Sequence, residues 1–162
     1  MGFDELISDL KHGLGMVRVN AALELGKLKD RRAEQTLIDA LSDENLAVRN
    51  NASYALGELG SQSAVPHLIA LVHDPEERVR KSAIKALGMI GAHEAAAPLI
   101  RLLDTDTSHL IRKSALRSLG QIGGPRAALT IERFLSSPDP TLADTAKKAI
   151  ERMKKNGILQ DK

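Results

Sequence analysis

Residues 48–69 read Val48-Arg49-Asn50-Asn51-Ala52-Ser53-Tyr54-Ala55-Leu56-Gly57-Glu58-Leu59-Gly60-Ser61-Gln62-Ser63-Ala64-Val65-Pro66-His67-Leu68-Ile69, and much of this phrase recurs along the chain. Its opening pair returns as Val17-Arg18, Val79-Arg80 and Ile111-Arg112. Ala follows at 21, 52, 83 and 115, Leu-Gly at 25–26, 56–57, 87–88 and 119–120, and then Leu28, Leu59, Ile90 and Ile122. A second phrase, Leu-Ile, stands at 6–7, 37–38, 68–69 and 99–100, a strict 31-residue step. One interval of the first phrase is 32, because a residue enters the Asp104–Asp106 turn. Self-similarity at a fixed period of this length marks a repeat architecture and takes precedence over local assignments.

Apolar residues inside each unit fall three and four apart, as in Val48, Ala52, Ala55, Leu56 and Leu59, which is helical periodicity. Each unit therefore reads as two helices. Pro66 and Pro98 lie near the start of the first, where a missing N–H costs little. Gly60, Gly91 and Gly123 are expected to end the second as left-handed terminators. Gly26, Gly57, Gly88 and Gly120 sit inside second helices, where Gly costs about 1 kcal/mol against Ala; their return in every unit predicts that a neighbouring helix backbone passes close there. A pair this short cannot bury its own apolar face, so the pairs must stack. The expected fold is all-α, a right-handed α-solenoid of about five helix pairs. One domain spans 1–156, with pairs at about 3–28, 31–59, 62–90, 93–122 and 125–156, followed by a frayed tail at 157–162.

Composition agrees with a globular chain: 162 residues, 43% hydrophobic and 27% charged, with two Phe, one Tyr and no Trp. So few aromatics argue against base stacking, making nucleic acid an unlikely partner. The absence of Cys excludes disulfides, thiolate zinc sites and a cysteine nucleophile. No run of residues is apolar enough for a membrane span, and a soluble cytoplasmic protein is expected. The net charge of +2 hides an asymmetry: residues 1–81 carry 10 Lys and Arg against 13 Asp and Glu, and residues 82–162 carry 13 against 8.

The phrase Val48-Arg49-x-x-Ala52-x-x-Ala55-Leu56-Gly57-x-Leu59-Gly60, followed by Ala64-x-Pro66-x-Leu68-Ile69, resembles a HEAT repeat of the phycobilisome-lyase-like subclass. The resemblance covers roughly residues 3–156. It implies that second helices line a concave face and that binding is the usual use of that face. The sequence departs from the pattern at its ends. The last second helix reads Ala143-Asp144-Thr145-Ala146 and lacks Leu-Gly, and the first unit has His12 where the others have Asp. Both end units are expected to be caps with polar outer faces.

Arg18, Arg49, Arg80 and Arg112 form a row one repeat apart, and Asp43, Asp74 and Asp106 each precede an Arg by six residues. That spacing lets a carboxylate reach helix N-terminal N–H groups while pairing with a guanidinium of its own or the adjacent repeat. The six residues Asp43, Arg49, Asp74, Arg80, Asp106 and Arg112 are therefore expected to form a structural ladder rather than a phosphate track. The histidines at 12, 67, 73, 93 and 109 show no i, i+4 pair and no His-Glu-x-x-His. Deoxyhypusine hydroxylase, which this fold resembles, builds a di-iron site from His-Glu pairs early in its second helices. The matching positions here are Val19-Asn20, Asn50-Asn51, Lys81-Ser82 and Lys113-Ser114, so neither metal nor another cofactor is expected. Ser53, Ser82, Ser114 and Ser118 lie on helices without a neighbouring His and carboxylate that the sequence places in reach, and no Gly-Lys-Ser/Thr phosphate loop occurs, so the chain is expected not to be an enzyme.

What remains are outward columns of the second helices, where side chains differ while the scaffold repeats. They read Val19, Asn50, Lys81, Lys113; Asn20, Asn51, Ser82, Ser114; Leu23, Tyr54, Lys85, Arg117; and Lys27, Glu58, Met89, Gln121. A further column, Glu24, Ala55, Ala86, Ser118, is mostly small and is expected to pack against a neighbour. The candidate partner-binding residues are Val19, Leu23, Asn50, Asn51, Tyr54, Lys81, Lys85, Met89, Lys113 and Arg117. They suit a protein segment that is acidic at one end and apolar at the other, bound by a monomeric scaffold. The resemblance implies an alternative role, an accessory subunit of a lyase or other modifying enzyme that presents a protein substrate.

Overall fold

Leu56 and its repeat equivalents Leu25, Leu87 and Leu119 are fully buried, and the helices that carry them form one continuous layer. The computed structural model describes residues 2–159; part of the tail expected at 157–162, residues 160–162, lies outside them. The described chain has ten α-helices: α1 (Phe3–His12), α2 (Gly15–Leu28), α3 (Glu34–Asp39), α4 (Leu46–Leu59), α5 (Val65–Leu71), α6 (Glu77–Ile90), α7 (Ala96–Thr105), α8 (His109–Ile122), α9 (Pro125–Arg133) and α10 (Pro140–Lys155). The architecture is an α-solenoid. Each odd-numbered helix packs on the even-numbered helix that follows it. First helices are irregular: 3₁₀ turns at Arg31–Ala33 and His93–Ala95 lead into α3 and α7, and another at Ala40–Ser42 ends α3.

Successive second helices, α2, α4, α6, α8 and α10, lie in extended contact, whereas successive first helices touch through few residues. The second helices are the more tightly spaced layer. Its close spacing comes from the recurring glycine. A Cβ on Gly57 would stand 2.9 Å from the Ala86 Cα, and Gly26 faces Ala55 and Gly120 faces Ala149 in the same register. Gly88 faces Ser118, whose Oγ donates to the Ile84 carbonyl at 2.8 Å. The small column therefore packs as expected.

Continuing the 31-residue step puts Glu151 at the glycine position of α10, and Glu24 at the small position of α2. A second copy stacked end to end in register would bring these two carboxylates together. The two ends are otherwise unlike. The exposed side of α10 is polar, with Asp144, Lys147, Lys148, Glu151 and Arg152, whereas Leu14, Met16, Val17 and Leu28 are exposed at the other end. The polar outer face expected of both end units is thus found only at the C-terminal one. Val17 and Leu28 sit where later repeats bury Val48 and Leu59.

Helix ends follow local chemistry. Gly60 and Gly91 take the left-handed conformation (φ 63° and 71°) and close α4 and α6. Two ends differ from expectation. Gly123 has φ 75° with an extended ψ of −162°, and α2 is closed by left-handed Lys29, a non-glycine residue with φ 50°. Residues 157–159 are not frayed. Gly157 turns the chain back, Ile158 donates to the Met153 carbonyl at 2.9 Å, and Leu159 packs on the core.

Candidate functional site: the face of the second helices

The ladder runs between repeats. Arg18 Nε donates to Asp43 Oδ2 at 2.7 Å, Arg49 Nε to Asp74 Oδ2 at 2.9 Å, and Arg80 Nε lies 3.2 Å from Asp106 Oδ2 as an ion pair without hydrogen-bond alignment. Each guanidinium also holds its own repeat, since Nη1 of Arg18, Arg49 and Arg80 donates to the carbonyls of Gly13, Asp43 and Asp74 at 3.0, 2.8 and 2.9 Å. The carboxylates brace the turn before each following helix, accepting from the N–H groups of its N-cap residues Asn45, Glu76 and Ser108, each at 2.8 Å. Arg18 is thus a rung absent from the expected six. Arg112 is a correction in the other direction: among the described residues it has no carboxylate partner. The next repeat carries Ser137 where Asp would fall. Arg112 donates instead to the Leu103 carbonyl at 3.0 Å and lies 5.9 Å from the Phe134 ring centre.

On the face of the second helices, two adjoining grooves of about 470 and 320 Å³ share Asn50, Asn51, Tyr54 and Ser82. Val19, Lys81 and Lys85 line one of them and Leu23 lines the other. The floor is a polar relay across three helices: Asn51 Nδ2 donates to the Val19 carbonyl at 3.1 Å, Asn50 Nδ2 to Asn51 Oδ1 at 3.2 Å, and Ser82 Oγ to Asn50 Oδ1 at 2.6 Å. Asn50 and Asn51 therefore bind helix to helix as well as facing the groove. Val19 is half-buried against the core. Tyr54 and Leu23 stand out, 40% and 43% exposed. Lys85 Nζ is 4.6 Å from the Tyr54 ring centre, a cation–π contact that fixes the ring on the open face. Glu58 pairs with Lys29 at 2.5 Å. The hydrogen bond from Lys29, opposed by desolvation, holds the Glu58 carboxyl below the usual carboxylate range, with a smaller contribution from Tyr54.

Met89 is half-buried and lines a separate groove with Glu58, Gln121 and Arg152. Lys113 and Arg117 line a further one, of about 190 Å³, with Asp144, Lys148 and Arg152. The ten candidate residues therefore share one layer but not one pocket. Sequence reasoning put Glu58 in an outward column without making it a candidate, and missed Lys29, Lys148 and Arg152 as members. The signal for the last two was present: Asp144, Lys148 and Arg152 continue the columns of Lys113, Arg117 and Gln121 by the same 31-residue step. Among the described residues, no three of His, Asp and Glu converge as metal ligands, and no helix is long and apolar enough to cross a membrane.

The repeat pattern and the geometry meet in the comparison with known families. Residues 3–82, 47–120 and 68–151 match the HEAT-repeat family. The chain belongs to that family. Its likeness to the complex of CpcE and CpcF of phycocyanin lyase from Nostoc sp. PCC7120 places it in the phycobilisome-lyase-like subclass: 32% identity over 98% of this chain and 67% of that one, with a TM-score of 0.83. A designed armadillo repeat protein in complex with the peptide (KR)4 shares the fold at 21% identity, TM-score 0.71, over 93% of this chain and 81% of that one. No curated protein matches the sequence. The Arg-to-Asp pairs across 25 residues and the Leu-Gly seat join the repeats of this chain.

Proposed function

We propose that this HEAT-repeat chain is a non-catalytic scaffold that holds a segment of another protein along the face of its second helices. One observation carries the reading: Tyr54, the single tyrosine of the chain, is held exposed by Lys85 between two grooves, over a floor whose polar groups are already paired. An aromatic presented in this way is the kind of residue that anchors protein interfaces. Leu23 on one side and Lys81 and Lys85 on the other give the face an apolar end and a cationic one, which supports a partner segment of mixed character. Such a scaffold acts by presenting a rigid surface, so the partner bears the ordering cost.

A second reading is favoured by the 32% identity to the CpcE–CpcF complex: the chain is an accessory subunit that presents a protein substrate to a modifying enzyme. Incubation with linear tetrapyrroles separates the two. A shifted visible absorption band supports the chromophore form of the second reading, and an unchanged spectrum removes it. The main reading is tested by affinity capture from source lysate with the wild type beside a folded Tyr54→Ala/Lys85→Glu/Arg117→Glu variant. A partner held by the first and lost by the second supports it; identical captures contradict it.

A further inference from the structure

The groove between α8 and α10 differs from the rest of the second-helix face in its charge. Four cations line it, Lys113 and Arg117 from α8 and Lys148 and Arg152 from α10, against one carboxylate, Asp144. Each helix contributes its two at i and i+4, the spacing at which side chains of a helix are neighbours and like charges repel. Asp144 is already engaged, its Oδ2 accepting from Lys148 Nζ at 2.7 Å. That hydrogen bond, opposed by desolvation, and the charges of Lys148, Lys113 and Lys147 hold the Asp144 carboxyl below the usual carboxylate range. Among the described residues, Lys113, Arg117 and Arg152 have no ion-pair partner. The groove walls include Thr145 and Ala149, both buried, so the cations stand around a small, partly apolar trough of about 190 Å³. Nothing in the fold needs this arrangement: the ladder lies at the inter-helix turns, and the seat of Gly120 on Ala149 joins α8 to α10 without charge.

We propose that this trough is the anchor for an acidic protein segment, whose carboxylates sit between the Lys113–Arg117 row and the Lys148–Arg152 row. The inference rests on the scaffold reading above and gives it a direction. The third outward column, Leu23, Tyr54, Lys85, Arg117, Lys148, runs from apolar through aromatic to cationic along the stack. The acidic end of the segment lies on α8 and α10, and its apolar end on α2 and α4. Charge complementarity selects an acidic peptide over an apolar one. A protein segment is selected over nucleic acid because the same column continues into Tyr54 and Leu23, with a single aromatic in place of a stacking row.

The test uses fluorescence anisotropy of a fluorescein-labelled (Glu-Asp)5 peptide with the full chain. Lys148→Glu/Arg152→Glu is compared with Arg126→Glu/Arg133→Glu, which makes the same charge change on exposed residues of α9 in the other layer. The expected result is an affinity loss of about tenfold or more in the first variant and less than about twofold in the second. Lys148→Gln/Arg152→Gln gives a smaller loss in the same direction and serves if charge reversal disturbs folding, which circular dichroism reads. Equal loss in the α9 variant, or no binding by the wild type, overturns the proposal. So does equally tight, equally sensitive binding of labelled oligouridine, or displacement of the peptide by millimolar inorganic phosphate. The wider reading fails separately: a captured partner that survives Lys148→Glu/Arg152→Glu but not the single change Tyr54→Ala, which leaves all four trough cations in place, leaves the scaffold standing and removes the anchor.

Discussion

Arg49 grips Asp74 across 25 residues of sequence, Nε to Oδ2 at 2.9 Å and Nη2 to Oδ1 at 3.1 Å, with side chains only 13% and 5% exposed. The same guanidinium donates to the Asp43 and Glu44 carbonyls at 2.8 and 3.1 Å, so one side chain joins two inter-helix turns. Removing one member leaves the other buried and unpaired. Asp74→Ala, which also strips the N–H of Glu76 of its acceptor, is expected to cost about 3–5 kcal/mol in urea unfolding. The double variant Arg49→Met/Asp74→Leu is expected to cost clearly less than the two single changes added together.

Gly57→Ala is expected to reverse the ordinary helix preference. In an open helix the change gains about 1 kcal/mol. Here the new Cβ meets the Ala86 backbone at 2.9 Å, and α4 and α6 must separate. A loss of about 1–3 kcal/mol, read from the thermal midpoint, is the expected outcome.

Residues two positions apart on α4 separate scaffold from surface. Leu56 is fully buried, and Leu56→Ala is expected to cost about 2–5 kcal/mol through the cavity it leaves. Tyr54→Ala loses chiefly the contact with Lys85, worth about 0.5–1 kcal/mol. A thermal shift in Tyr54→Ala as large as that of Leu56→Ala would place the tyrosine in the core and contradict its assignment to the face.

Acid is expected to loosen the joint between the second and third helix pairs. Glu34 Oε1 accepts from Ser61 Oγ at 2.5 Å and Ser63 Oγ at 2.8 Å, and these bonds hold its carboxyl below the usual range, against a smaller desolvation effect. A depressed folded-state value contributes stability that is complete above the unfolded value of about 4.3 and is lost as pH falls through the folded one. The urea midpoint of the wild type should therefore drop more steeply below about pH 5 than that of Glu34→Gln. Parallel pH profiles would show that Glu34 adds nothing.

The repeat made the scaffold legible because one rule is written at least four times. Leu25, Leu56, Leu87 and Leu119 need only be buried, and Gly26, Gly57, Gly88 and Gly120 need only be small, so periodicity alone finds them. The ladder was legible in its residue types but not in its full pairing. The six-residue spacing left own-repeat and adjacent-repeat partners open, and three-dimensional stacking selects the carboxylate of the next repeat. Arg112 departs because its partner position is Ser137, one repeat on, where a local motif does not look. The face was less legible because its residues obey no repeated rule. The ties of Asn50 to Ser82 and of Asn51 to the Val19 carbonyl span 32 residues and exist only once the helices are stacked. The same holds for Lys29, whose left-handed backbone at the end of α2 brings its amine to Glu58.

The most direct test of the binding face is site-specific photo-crosslinking in the source cells. A benzoylphenylalanine is placed at Tyr54 on α4 or at His67, an exposed residue of α5 in the other layer. The account predicts a crosslinked protein partner from position 54 and none from position 67. A partner captured from 67 with nothing at 54 would contradict it and move the interaction to the face of the first helices.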